Sequence, residues 1–202
     1  MVGLEKDILL LISKVRCITE SQVSKVVCTT RKSYFRKPVK QTLKKMCNEY
    51  TLKKYPVNIS YQGYRENSYV YYLNGGKTYK GKELLKVIMG SEIVIKLSNS
   101  GCRVKRIFRN PKIDNRTYDI YIEYINKYCE VKQILVDIQT DKFILSKYEN
   151  MDRKIEKSTI PFIETPTIFV ITNENYERCL ENRIDLDIKF IDFSLDKLNK
   201  YL

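Results

Sequence analysis

The sequence predicts a mixed α+β chain in two parts: a small basic unit of three helices and a hairpin over residues 1–80, then an α/β unit with a central mixed sheet over residues 81–202. Three observations predict it. Helical spacing of apolar residues gives way to strand-like stretches near residue 52. Glycines at 75, 76 and 81 punctuate the chain between two differently patterned regions. Charge is segregated: through residue 82 there are 17 Lys and Arg against 5 Asp and Glu, and the rest of the chain holds 20 against 19. Almost all of the net charge of +13 therefore sits in the first part, which implies a local anionic partner rather than general solubility tuning.

In the first unit, Leu4, Ile8, Leu11, Ile12 and Val15 fall on one face of a helix. After a short turn, Thr19-Glu20-Ser21-Gln22 has the form of a capping box, with Ile18 and Val23 placed to close a hydrophobic staple. The second helix is short, with Val23, Val26 and Val27 on one side and an end near Cys28. A third helix starts at Lys37-Pro38, because proline suits a first turn, and buries Val39, Leu43, Met46, Cys47 and Tyr50. Strands are expected over about Leu52 to Ile59 and Tyr69 to Leu73, joined by a tip at Gln62 to Asn67; Pro56 suits an edge strand. Three helices followed by a two-stranded hairpin is the order of a winged helix-turn-helix.

In the second unit, Glu83 to Ser98 has a helical pattern. Strands follow at Arg103 to Phe108, Tyr118 to Ile125 and Tyr128 to Ile138, then a polar helix over about Lys142 to Lys157. Thr167 to Thr172 reads as a buried strand, followed by a helix through Tyr176 to Glu181 and a strand at Ile188 to Phe193.

Composition excludes several chemistries. The chain has no histidine, and its six cysteines form no CxxC. Common zinc spacings, Ser-His-Asp and Cys-His nucleophile systems are therefore absent. The cysteines are expected to be reduced and mostly buried. No GxxxxGK[ST], GxGxxG or GxSxG motif occurs. Without histidine to support a strand-transferring tyrosine, most of the sixteen tyrosines read as packing residues. Apolar runs are too short to cross a bilayer, and the opening MVGLEKD carries charge where a signal peptide is apolar. A cytoplasmic protein without membrane contact is expected.

The order of elements, with Arg116-Thr117-Tyr118-Asp119-Ile120-Tyr121, Ile134-Leu135-Val136-Asp137-Ile138-Gln139, the helix around Lys147 to Lys157 and the strand PTIFVIT, resembles the replication-relaxation family of plasmids and mobile elements. The resemblance covers most of the chain. It implies that the second unit is restriction-endonuclease-like, a PD-(D/E)xK nuclease fold. An active nuclease of that kind needs two carboxylates on adjacent strand ends to hold Mg²⁺ and a lysine near the attacking water. Asp119 and Asp137 are the candidates, with Glu92 as a third acid. Gln139 stands where the lysine belongs, leaving Lys142 or Lys154 to supply the charge from a shifted position.

The functional expectation is a DNA-binding protein of a plasmid, phage or integrative element, acting without catalysis or cofactor in replication, transfer or transcription control. Lys37, Lys40, Gln41, Lys44, Lys45 and Asn48 would face the groove of duplex DNA, with Arg31, Lys32, Arg36 and Arg65 on phosphates. The second unit would form a homodimer or recruit replication or transfer proteins. The alternatives are a Mg²⁺-dependent nuclease using Asp119 and Asp137, and a regulator whose second unit senses a ligand.

Overall fold

The computed structural model describes residues 3–31, 36–140, 143–174, 176 and 187–201. It divides into two compact units, Met1–Asn99 and Ser100–Leu202. The first therefore runs past the glycine junction near residue 80 and takes in the helix that the sequence assigns to the second unit.

Helix α1 spans Leu4–Val15 and buries Ile8, Ile12 and Val15. A three-residue strand β1, Cys17–Thr19, follows where only a turn is expected. The capping box closes as the sequence predicts at the start of α2, Glu20–Arg31. The Gln22 N–H donates to Thr19 Oγ1 at 3.2 Å, and the Thr19 N–H donates to Gln22 Oε1 at 3.1 Å. This α2 runs three residues beyond its expected end at Cys28. Helix α3, Arg36–Asn48, starts one residue before Lys37. Val39, Leu43 and Met46 are its buried stripe. Tyr50 is not part of it: it lies past the helix end at φ 56 and is 77% exposed.

Strands β2, Leu52–Tyr61, and β3, Tyr64–Leu73, form a hairpin longer than expected. Pairing continues to Tyr61↔Tyr64, leaving Gln62-Gly63 as a two-residue turn. Both turn residues have positive φ, 42° and 86°, as a primed hairpin turn requires. Arg65, Glu66 and Asn67 look like a loop in the sequence because that end of the hairpin has no deep core side. The antiparallel sheet runs β1-β3-β2, so Pro56 does sit on an edge strand. Helix α4, Gly81–Asn99, closes this unit. Gln22 Nε2 donates to the Ile88 carbonyl at 3.0 Å, and Ser91 Oγ donates to the Cys17 carbonyl at 2.9 Å. Leu84, Val87 and Ile88 pack with Cys17, Val57 and Val70.

The second unit is built on a five-stranded mixed sheet, order β10-β9-β8-β7-β4. Its strands are β4 (Arg103–Arg109), β7 (Ile120–Ile125), β8 (Val131–Ile138), β9 (Thr167–Ile171) and β10 (Ile188–Ile191). Strands β4, β7 and β8 are antiparallel; β9 and β10 continue parallel to β8. A short hairpin, β5 (Lys112–Ile113) with β6 (Arg116–Thr117), interrupts the path from β4 to β7. Tyr128, expected at the start of β8, lies in the preceding turn and is 70% exposed.

The long polar helix expected over 142–157 is instead a 3₁₀ turn, Leu145–Lys147, and a short α5, Met151–Glu156. Asn150 at φ 53 breaks it. The break lets both Tyr148 and Met151 reach the core with Tyr121, Leu135, Ile168 and Val170. The helix proposed through Tyr176 to Glu181 lies, apart from Tyr176, outside the described residues. Cys17 and Cys102 are buried and Cys47 is half-buried, but Cys129 is exposed; all four are thiols. No described helix is long and apolar enough to cross a membrane.

Candidate functional site

Two constellations came out of the sequence: the basic face of α3 with the hairpin, and the acidic pair at the strand ends of the second unit.

With Val39, Leu43 and Met46 turned inward, helical geometry sends Lys40, Gln41, Lys44, Lys45 and Asn48 to the exposed surface. They do not all face one way. Lys40, Lys44 and Asn48, spaced at i, i+4 and i+8, line a cleft of about 410 Å³ together with Lys54, Asn67 and Tyr69 of the hairpin and with Glu20, its one acid. The Lys54 ammonium lies 4.5 Å from the centre of the Tyr69 ring. Lys45 is turned toward α1, with its Nζ 2.7 Å from Glu5 of that helix and 3.7 Å from Glu49, just past the end of α3. Those carboxylates raise its pKa, first through the hydrogen bond that Lys45 donates to Glu5.

The hairpin is tied to the start of α2. Ser21 Oγ donates to Glu66 Oε2 at 2.8 Å, and Thr19 Oγ1 does so at 3.2 Å. Arg65 is exposed near the tip, opposite Ser60. Arg31, Arg36 and Lys37 lie in helical backbone, and Lys32 falls outside the described residues. Lys54, Asn67 and Tyr69 escaped sequence reasoning because their role depends on the hairpin folding beside α3. The signal available was the alternation Lys54, Pro56, Asn58 on one strand against Asn67, Tyr69 on the other.

In the second unit, Asp119 and Asp137 do come together. The β7–β8 ladder ends at Ile120↔Val136, and the Asp119 N–H donates to the Val136 carbonyl at 2.9 Å, so Asp119, just before β7, lies at the end of β8 that carries Asp137. Asp119 Oδ2 accepts the Ile138 N–H at 2.6 Å. Asp137 is 3% exposed, and a single oxygen, Oδ2, accepts from three groups. These are Lys147 Nζ at 2.6 Å, Tyr148 Oη at 2.5 Å and Gln139 Nε2 at 2.9 Å. Gln139 Nε2 also donates to Tyr148 Oη at 3.0 Å. Burial, and then the Asp137 carboxylate, push the Tyr148 phenol far above its usual range. The Lys147 ammonium also lies 4.6 Å from the centre of the Tyr118 ring.

Lys147 and Tyr148 are the residues the sequence reading missed. Lys154, one of the two lysines it named, donates instead to the Ser146 and Lys147 carbonyls at 3.1 Å each and fastens the loop. Lys142 lies outside the described residues. Glu92 belongs to the first unit, where it is 5% exposed and its Oε1 is 2.6 Å from Lys25 Nζ.

As arranged, Mg²⁺ would have to compete with Lys147 for Asp137. Mg²⁺ takes several unblocked carboxylate and water oxygens in a near-ideal octahedron. Here an ammonium already neutralises Asp137 and two further donors occupy the same oxygen. Among the described residues no group of three or more acidic or cysteine ligands converges. What the arrangement does chemically is compensate a buried carboxylate and lock the 143–156 segment against the sheet.

The chain matches no known family profile and no curated protein. Among solved structures it is similar to a repair endonuclease from Pyrococcus abyssi, at 15% identity and a TM-score of 0.34, over 62% of this chain and 52% of that one. The match thus spans about half the length of that protein.

Proposed function

We propose that the chain binds duplex DNA without cleaving it, through the exposed face of α3 and the hairpin β2–β3. One observation carries the reading: Lys40, Lys44 and Asn48 of the helix and Lys54, Asn67 and Tyr69 of the hairpin line a single cleft. Long cations suit phosphates, and Asn side chains suit base edges. The order α1-β1-α2-α3-β2-β3, closed by an antiparallel β1-β3-β2 sheet, supports reading the unit as a winged helix with α3 directed to the major groove. The second unit, read as restriction-endonuclease-like, then serves dimerisation or recruitment. The setting is a cytoplasmic plasmid, phage or integrative element, in replication, transfer or transcription control. The placement of Asp119 and Asp137 at the same end of β7 and β8 favours a metal-dependent nuclease as the second reading.

A gel of end-labelled duplex DNA, run with EDTA in one series and Mg²⁺ or Mn²⁺ in the other, separates the two. A retarded, uncut band in both series is expected. Metal-dependent fragments that vanish in Asp137→Ala would establish the nuclease instead. Replacing Lys40, Lys44 and Lys54 together by Ala should lower the slope of log K against log salt by about 2.7, at roughly 0.9 per phosphate contact. Lys45→Ala should leave affinity unchanged, since that lysine faces α1. Full affinity in a folded triple variant refutes the assignment of the cleft.

A further inference from the structure

We infer that the second unit carries a nucleic-acid-binding surface of its own, along the outer edge of β4 and the β5–β6 hairpin. Although that unit is nearly neutral, its charge is not evenly spread. Residues 103–116 contain Arg103, Lys105, Arg106, Arg109, Lys112 and Arg116, with Asp114 the one acid among them.

The fold places this run at the margin of the sheet. Among the described strands β4 has a neighbour on one side, β7, and is terminal in the order β10-β9-β8-β7-β4. Arg103, Lys105, Arg106, Lys112 and Arg116 are all exposed. A bulge falls between Val104 and Arg106, so Lys105 drops out of the pairing register. The bulge gathers Arg103, Lys105 and Arg106 into one short stretch instead of spacing them regularly along two faces. Arg106 is the most committed of them, 3.7 Å from Glu123. Phe108, two residues on, is 42% exposed and stacks on Tyr121 with ring centroids 5.5 Å apart. It leaves an aromatic surface between the cations.

A row of long cations along a strand edge suits a repeating anion, not a single small one. Alternate residues of a strand lie about 6.6 Å apart, so such a row meets successive phosphates of a nucleic-acid backbone without reading bases. The ordinary alternative is that charges on an edge strand ward off pairing with another chain. That role is met by one or two lysines and gives no reason for the run to continue through the β5–β6 hairpin, which lies outside the main sheet.

The experiment uses the full chain and a fluorescein-labelled 30-base-pair duplex of arbitrary sequence, with anisotropy followed across a salt titration. Arg103, Lys105, Lys112 and Arg116 are replaced together by Gln, sparing Arg106 and the half-buried Arg109. The Lys40/Lys44/Lys54→Ala variant is measured beside it. We expect the edge variant to lose at least tenfold in affinity at 0.15 M salt and about 3 to 4 units of salt slope, at roughly 0.9 per contact. An edge variant with unchanged affinity and slope overturns the inference. So does one that keeps affinity but self-associates on a sizing column, which assigns the charges to guarding the edge. If the α3 variant binds normally while the edge variant does not, the first-unit reading fails and this surface stands.

Discussion

Replacing Lys147 by Met will destabilise the second unit by about 3 kcal/mol. The Asp137 side chain is 4% exposed and that of Lys147 is 18% exposed, with 2.6 Å between the charged atoms. Removing one member of a buried ion pair typically costs about 3–5 kcal/mol, because the other charge is left uncompensated. Tyr148 and Gln139 still donate to the same carboxylate oxygen, which holds the loss at the low end of that range. Introducing Asp137→Asn together with Lys147→Met removes the orphaned charge, so the double variant should lose less than the sum of the two single ones. A coupling of about 1–3 kcal/mol is the size expected for residues in direct contact. Urea denaturation followed by near-ultraviolet circular dichroism measures it, since Tyr118 and Tyr148 both sit in this cluster. With a slope of about 1.5 kcal/mol per molar urea, the Lys147→Met midpoint falls by about 2 M. A fall below about 0.3 M, or strict additivity in the double variant, would refute the view of Asp137 as a carboxylate dependent on that ammonium.

The reciprocal cap predicts that Gln22→Ala costs about 1–3 kcal/mol, because it deprives the buried Thr19 N–H of its partner and removes the tie from α2 to the Ile88 carbonyl of α4; thermal denaturation of the purified variant checks it. Stability should fall as pH rises above 10. Burial, more than any neighbouring charge, lifts the phenols of Tyr55, Tyr121 and Tyr124 to about 12. Their contribution is therefore whole below the unfolded value near 10 and lost as pH passes through the folded one. Absorbance at 295 nm should show a class of tyrosines that ionises only on unfolding, and simple titration of all sixteen near pH 10 would contradict this. Finally, 10 mM Mg²⁺ should leave the thermal midpoint where an ionic-strength-matched sodium control puts it. A site with a dissociation constant of about 0.1 mM would add roughly 2.7 kcal/mol, so a rise of several degrees would mean that Mg²⁺ displaces Lys147.

What could be seen in the sequence was what depends on neighbours along the chain. The capping box of Thr19 and Gln22 is a three-residue relation, and it formed with both of its hydrogen bonds. The inward stripe of α3 followed from its spacing as far as Met46, then failed at Tyr50, where the chain leaves the helix in a left-handed conformation. The proximity of Asp119 and Asp137 was legible because Asp119 precedes the apolar run of β7 and Asp137 stands near the end of that of β8, which antiparallel pairing brings to the same edge. What stayed hidden depends on contacts at a distance. Strand β1 is three residues long and is recruited by β3, with no pattern of its own. Lys147 was lost inside a segment that looks continuously helical, because its position is set by the break at Asn150 and by Asp137 ten residues before it. Lys45 and Lys44 are adjacent and chemically alike, yet Glu5, forty residues earlier, turns one of them away from the cleft.

The bond from Gln22 to the Ile88 carbonyl and that from Ser91 to the Cys17 carbonyl bear on how this protein can be taken apart. The glycines near residue 80 invite a cut there. A piece ending at that point would keep all three helices and the hairpin, but would strip Leu84, Val87 and Ile88 from the cluster that covers Cys17, Val57 and Val70. The portable piece therefore ends at residue 99. Grafting the hairpin and α3 onto another scaffold means carrying α4 with them, as a keel that touches none of the cleft and holds its walls in place.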